Sequence, residues 1–268
     1  MNRNGFFSSL GSLLGIVLVS LLLVPLLAML VSTSHQDIVA GIAHPMFLPA
    51  LFLSLKTTSI SLALTCLLGT PLAWWLASSR SKSTKIIELV VALPIVIPPA
   101  VLGVGLLQTF GREGLLGSLL QNLGLSIPFT ASAVIIAQIV VSSPFFIQAA
   151  TSSFRKVEPD ILMVARTLGS SAVSAFFRVA LPISLPGIVA GASLAWARSL
   201  GEFGATLLFA GNMKDETQTM PLAIFSAMES DLQLAIVFSL VLVGGGGILL
   251  AALRCLPLTV ALTKRRPR

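Results

Sequence analysis

Six apolar blocks set the limits on how this chain folds. They cover about residues 11–31, 51–77, 86–110, 129–150, 183–210 and 232–256. A helix needs roughly 20 residues, at about 1.5 Å rise each, to cross a hydrocarbon layer of about 30 Å, and every block is that long. Inside lipid the backbone has no water to bond, so blocks of this length are expected as helices. The 268 residues are 55% hydrophobic and 10% charged, where a soluble domain carries about 25% charged residues. One soluble core cannot bury that much apolar surface. The expected fold class is therefore all-α, a polytopic transmembrane bundle of about six spans.

Charge orients the bundle. Thirteen basic residues (Arg3, Arg80, Lys82, Lys85, Arg155, Lys156, Arg166, Arg178, Arg254, Lys264, Arg265, Arg266 and Arg268) fall on one side of the six blocks. Three, Lys56, Arg112 and Lys214, fall on the other, and Arg198 lies inside the fifth block. Basic loops stay in the cytoplasm, so both termini are expected there, with residues 35–49, 111–128 and 211–231 outside. The +7 net charge is explained by this pattern and not by a nucleic-acid surface. The first block exceeds a 7–15-residue signal-peptide core and lacks a clean small-residue cleavage site, so it is expected to remain as a span.

Several features lie within the spans. The third carries Pro94, Pro98 and Pro99 in LPIVIPPAVLGVGLL. Proline removes a donor and crowds the preceding turn, so this span is expected to kink, either for packing or to line a pathway. Gly244 to Gly247 in the sixth suggest close helix approach. Cys66 and Cys255 sit in apolar blocks and read as packing residues. His35 and His44 share one external loop without a ligand set, so no metal site is expected. Nor do the residues suggest a catalytic triad. A phosphate-binding loop needs glycine before Lys-Ser/Thr, and neither Lys56 nor Lys82 has it. No cofactor is expected in this chain; energy must come from another chain or from a gradient.

Residues 155–182, between spans four and five, are too polar to cross. Pro159 suits the first turn of a helix, with Glu158 and Asp160 at its positive end. Ile161, Leu162, Ala165 and Leu168 recur at helical spacing, leaving Asp160, Arg166 and Thr167 on other faces. Gly169 suits the position after the helix, where φ is positive. Ser170 or Ser171 caps a second short helix reaching about Val179, which Pro182 and Pro186 end. Such a segment either lies on anionic lipid or docks on a partner.

The segment resembles the cytoplasmic EAA loop of permeases in binding-protein-dependent ABC importers. That pattern is Glu-Ala-Ala, three residues, Gly, nine residues, Ile or Val, one residue, Leu-Pro. Ala165, Gly169, Val179, Leu181 and Pro182 stand in register, while Met163 and Val164 replace its first two positions. The resemblance implies a type I importer permease fold whose loop couples to two copies of a separate ABC ATPase, which uses ATP. It implies coupling roles for Glu158, Asp160, Ala165, Arg166, Thr167, Gly169, Leu181 and Pro182. It also implies a second permease copy and a periplasmic or extracellular oxyanion-binding protein.

Span five then reads ARSLGEFGATLLFAGN. Arg198 and Glu202 are four apart and share a helix face. Each costs about 2.5–3.5 kcal/mol at a span centre, so a lipid-facing pair is disfavoured. They form either a structural ion pair or part of the pathway, and Gly201 and Gly204 admit a close neighbour. The stretch is similar to permeases for molybdate, tungstate and sulfate, which share Arg-x-Leu-Gly-Glu-Phe/Tyr-Gly. Arg198, Leu200, Gly201, Glu202, Phe203 and Gly204 match it, and TQTMPLAIFSAM from Thr217 points to the molybdate branch. The resemblance covers about residues 51–256 and implies an inner-membrane permease importing molybdate. Sulfate, thiosulfate or tungstate import, or a gradient-driven transporter, are the alternatives. The chain divides into 1–50 (first span and external loop), 51–257 (permease domain) and 258–268 (basic tail, too short for a folded domain).

Overall fold

The computed structural model describes the backbone of residues 3–79 and 81–264, and side chains within 11–79 and 81–252. Arg80, Arg265, Arg266 and Arg268 lie outside the described residues, as do the side chains of Arg3, Arg254, Cys255 and Lys264. Every regular element among the described residues is helical. In order they are α1 (Arg3–Val31), α2 (His35–Ile42), α3 (Phe47–Ser78), α4 (Lys82–Val96), α5 (Pro99–Phe110), α6 (Gly117–Asn122) and α7 (Ala131–Phe154). Then follow α8 (Pro159–Thr167), α9 (Ala172–Ala175), a π-helical turn (Phe176–Ala180), α10 (Leu181–Leu200), α11 (Gly204–Ala210), α12 (Met220–Ser230) and α13 (Leu232–Lys264).

Among the described residues, five helical runs are long and apolar enough to cross a membrane: α1, α3, α7, the run from α9 through α10, and α13. The paired α4 and α5 make a sixth, but they bend by 113°. The expected kink is thus a full break, and the sequence contains the reason. A residue before proline is pushed out of the α region. Ile97 and Pro98 each precede one, and both are extended (ψ 129° and 135°). Pro94, by contrast, sits inside α4 without ending it.

The fifth span also departs from expectation. It is interrupted at Gly201–Phe203, where Phe203 takes φ −128° and ψ −56°, and resumes as α11. The short helix expected after Gly169 does not end at Pro182 either. From α9 it runs through the π turn into α10, with the Leu181 N–H reaching the Phe176 carbonyl five residues back. The wider turn relieves the clash a proline ring makes with the carbonyl four residues earlier. Residues 35–49 and 211–231, expected as loops, hold α2 and α12.

Three apolar clusters hold the bundle. Ala73 and Leu76 of α3, Phe146 and Phe154 of α7, and Ile188 and Ala195 of α10 form the first. Val134 and Val141 of α7 meet Ala205 and Phe209 of α11 in the second, against Leu102 and Leu106 of α5. Phe47 and Ala50 of α3, Met220 and Ala223 of α12, and Phe238 of α13 form the third. Down the buried side of α3 runs a polar stripe, Ser54, Thr57, Thr58, Ser61 and Thr65. Thr57 donates to the Leu53 carbonyl (2.9 Å), Thr58 to Ser54 (2.7 Å) and Ser61 to Thr58 (3.1 Å). Gln138 Nε2 of α7 donates to Thr57 Oγ1 (3.2 Å), and the Met220 N–H of α12 to Ser54 Oγ (2.7 Å). Outside this core, the apolar window of α1 is 0% buried. Of the four glycines in α13, Gly246 alone would bring a Cβ within 4 Å of a neighbour, Leu200.

Candidate functional site

Two constellations emerge at opposite ends of α10, whose 20 residues span about 30 Å at 1.5 Å each.

The first is α8. Glu158 occupies its N-cap position without a side-chain hydrogen bond, Pro159 its first turn, and Asp160 follows. The helix ends as the glycine suggested. Gly169 has φ +89°, its N–H reaches the Arg166 carbonyl (3.0 Å), and the Ser170 N–H reaches Ala165 (3.1 Å). These two bonds make a Schellman motif, which satisfies carbonyls otherwise orphaned at a helix end. Ser171, of the two candidates, caps α9 by accepting from the Ser174 N–H. The inward face differs from the one the spacing suggested. Leu162 and Ala165 are partly buried, but Ile161 is exposed and Leu168 is 82% exposed. Leu168 is the cap residue, already leaving the helical path. Met163 and Val164 are exposed too, so α8 presents apolar side chains that none of the described residues covers, beside exposed Asp160, Arg166 and Thr167. Leu181 packs on the first core cluster, and Pro182 is exposed at the start of α10.

The second constellation joins the two helix breaks. A Cβ at Gly103 of α5 would fall 2.8 Å from the Ala205 carbonyl oxygen, and one at Gly204 3.2 Å from the Ala100 nitrogen and the Pro99 ring. Only glycine allows α5 and α11 to approach this closely. At Gly201 the nearest atom to such a Cβ is 3.8 Å away, so the close approach belongs to Gly204 and not to Gly201. Glu202 lies just beyond α10, yet the expected pair forms: Arg198 Nη1 is 2.8 Å from Glu202 Oε2. Oε1 accepts the Ala205 N–H (2.8 Å) in the first turn of α11. One carboxylate thus neutralises a cation and caps a helix whose positive end attracts it. The Glu202 side chain is 1% exposed and that of Arg198 29%, so the arginine side chain has open surface and the glutamate has almost none. Phe203 stacks obliquely on Phe225 of α12 (5.3 Å).

The sequence reading brought these groups out but missed a second ion pair, Arg155 with Glu88. A signal was available: Glu88 is an acidic residue near the start of an apolar block, and such a residue needs a cation.

Residues 69–256 match the family described as the binding-protein-dependent transport system inner membrane component. The molybdenum transport system permease protein ModB of Mycobacterium tuberculosis is 42% identical over 234 residues, covering 87% of this chain and 88% of that protein. A probable transport system permease protein, NifC of Clostridium pasteurianum, is 37% identical and covers 83% and 78%. Among solved structures, a chain of a bacterial ABC transporter that imports the polysaccharide alginate superposes with a TM-score of 0.75. It shares 14% identity, with 93% and 94% of the two chains covered, so the likeness is one of fold: the type I importer permease. This multi-pass membrane protein belongs to the family of inner membrane components of binding-protein-dependent transport systems.

Proposed function

We propose that this chain is the membrane-spanning permease subunit of an ATP-driven importer of molybdate. The observation that carries the reading is its 42% identity to a molybdenum transport permease over 87% of its length. In this reading residues 51–257 are the permease domain and two copies form the pathway. Each seats α8 on one of two ATPase subunits, which bind and hydrolyse ATP. The capped helix with uncovered Ile161, Met163, Val164 and Leu168 supports docking, because an apolar patch rimmed by charge suits a partner surface. Glu158, Asp160, Arg166 and Thr167 are its polar rim. An external oxyanion-binding protein delivers the anion to the opposite face. Both termini lie in the cytoplasm of a bacterial inner membrane, supported by the thirteen-to-three bias of basic residues.

At the paired breaks, Glu202 holds the geometry and Arg198 faces the pathway, where its partly exposed side chain meets the dianion. A neutralised cation attracts without trapping, which conduction requires. Pro98 and Pro99 set the direction of α5 there.

The test is labelled molybdate uptake into cells carrying this chain with its ATPase and binding protein, against excess tungstate or sulfate. An ATPase variant unable to hydrolyse ATP serves as control. Uptake that requires ATP hydrolysis and resists sulfate is expected. Competition by sulfate reassigns the substrate, and uptake indifferent to the ATPase overturns the reading. Scrambling residues 158–169 should abolish both ATPase association and uptake.

A further inference from the structure

The coupling segment and the paired breaks are far apart, and the structure contains a link between them. Arg155 caps the end of α7, four residues before α8 begins. Its Nη2 donates to Glu88 Oε1 of α4 and lies 3.5 Å from the Leu76 carbonyl of α3. One guanidinium therefore joins three helices at the point where the chain leaves the bundle for α8. Glu88 lies eight residues before Val96, where α4 ends, about 12 Å along the helix. Beyond it α5 turns away by 113° and packs against α11, whose first turn Glu202 caps.

Ile87 and Val91 of α4 pack on the first core cluster, which includes Phe146 and Phe154 of α7, and an open pocket adjoins that contact. A cavity of about 290 Å³ lies there, lined by Leu76, Glu88, Val91, Ile147, Thr151 and Arg155 among others. Thr151 is buried, and its hydroxyl has no partner. Interdigitated side chains transmit displacement, and a cavity does not. Glu88 and Arg155 line this pocket, and their ion pair ties α4 to the end of α7 beside the Ile87 contact.

We propose that Arg155 and Glu88 are a positioning pair for transport, the strut through which displacement of α8 reaches the α4–α5 break. This rests on the permease reading above. Both side chains are partly exposed, and ion pairs so placed add little to folding stability. Their loss should leave the complex assembled and change what movement of α8 accomplishes.

The experiment uses the complete complex in proteoliposomes with its binding protein and reads molybdate moved per ATP hydrolysed. Glu88→Gln and Arg155→Gln should each lower that ratio about five-fold, the low end of measured coupling between sites, with ATPase subunits still bound. The exchange Glu88→Arg with Arg155→Glu should restore much of it. Single variants that keep the parent ratio overturn the strut, as do variants that lose uptake only in proportion to lost complex, or an exchange that restores nothing. If the parent moves molybdate without ATP, the permease reading fails first and the strut with it.

Discussion

Glu202 offers a sharp test because its two oxygens do different work. Alanine at this position removes both functions. The Ala205 N–H, on a buried residue, loses its acceptor, at a cost of about 1–3 kcal/mol. Arg198 loses its counter-charge. Removing one member of a fully buried pair costs about 3–5 kcal/mol, but the Arg198 side chain is 29% exposed and can reach solvent, so the charge contribution is taken as about 1 kcal/mol. Glu202→Ala should therefore destabilise by about 3 kcal/mol. Glutamine keeps a carbonyl oxygen for the Ala205 N–H and loses only the charge, so Glu202→Gln should cost about 1 kcal/mol. The assay is reversible denaturation of the purified protein in detergent, followed by tryptophan fluorescence. Trp196, buried on α10 two residues before Arg198, is a local reporter. Equal cost for the two substitutions would refute the capping role, and an alanine variant as stable as the parent would refute both.

Gly103→Ala should destabilise by about 1–3 kcal/mol through overpacking, because its Cβ meets the Ala205 backbone. Gly105→Ala, with open space around it, should be neutral or stabilise by about 0.5–1 kcal/mol; denaturation of the pair tests both. Gly169→Ala should cost about 1–2 kcal/mol because φ is +89°, and amide exchange over α8 should rise. The Ser34 side chain beside it, the Ser34 N–H that donates to Asp37 Oδ2 (2.8 Å) and a weaker bond from Gln233 together hold the Asp37 pKa below the ordinary carboxylate value. A depressed pKa means the α2 cap is at full strength above about 3.8 and weakens as pH falls through the lower folded value. A nitroxide at Ala40 should keep constant mobility from about pH 7 to pH 5 and loosen only below about 4.

Much of this architecture could be read from residue order. Span existence followed from apolar length, the end of α8 from Gly169, and the Arg198–Glu202 contact from spacing and the cost of charge in lipid. Directions could not be read. Pro98 and Pro99 announce a break, but the 113° between α4 and α5 is set by what α5 packs on, namely Gly204 and Ala205 a hundred residues later. The interruption at Gly201–Phe203 looks like ordinary helix in sequence, because Glu202 stabilises it through a side-chain cap and not through a breaking residue. Helix α12, at 11 residues, is too short to register as a span and too apolar to register as a loop. Leu168 continued the helical spacing, but being the cap residue it points away from the face that spacing assigned.

The polar stripe of α3 bears on how the protein is made. Inside lipid a bare hydroxyl is costly, yet Thr57, Thr58 and Ser61 each donate to a carbonyl of their own helix. As α3 leaves the ribosome it can therefore enter the bilayer alone, with those protons already placed. What it keeps in reserve is acceptor capacity at Ser54 and Thr57. The donors that use it, the Gln138 amide and the Met220 N–H, belong to helices synthesised later. The second helical span is thus a template that waits, and assembly can follow the direction of translation without any partner-starved donor on those three residues.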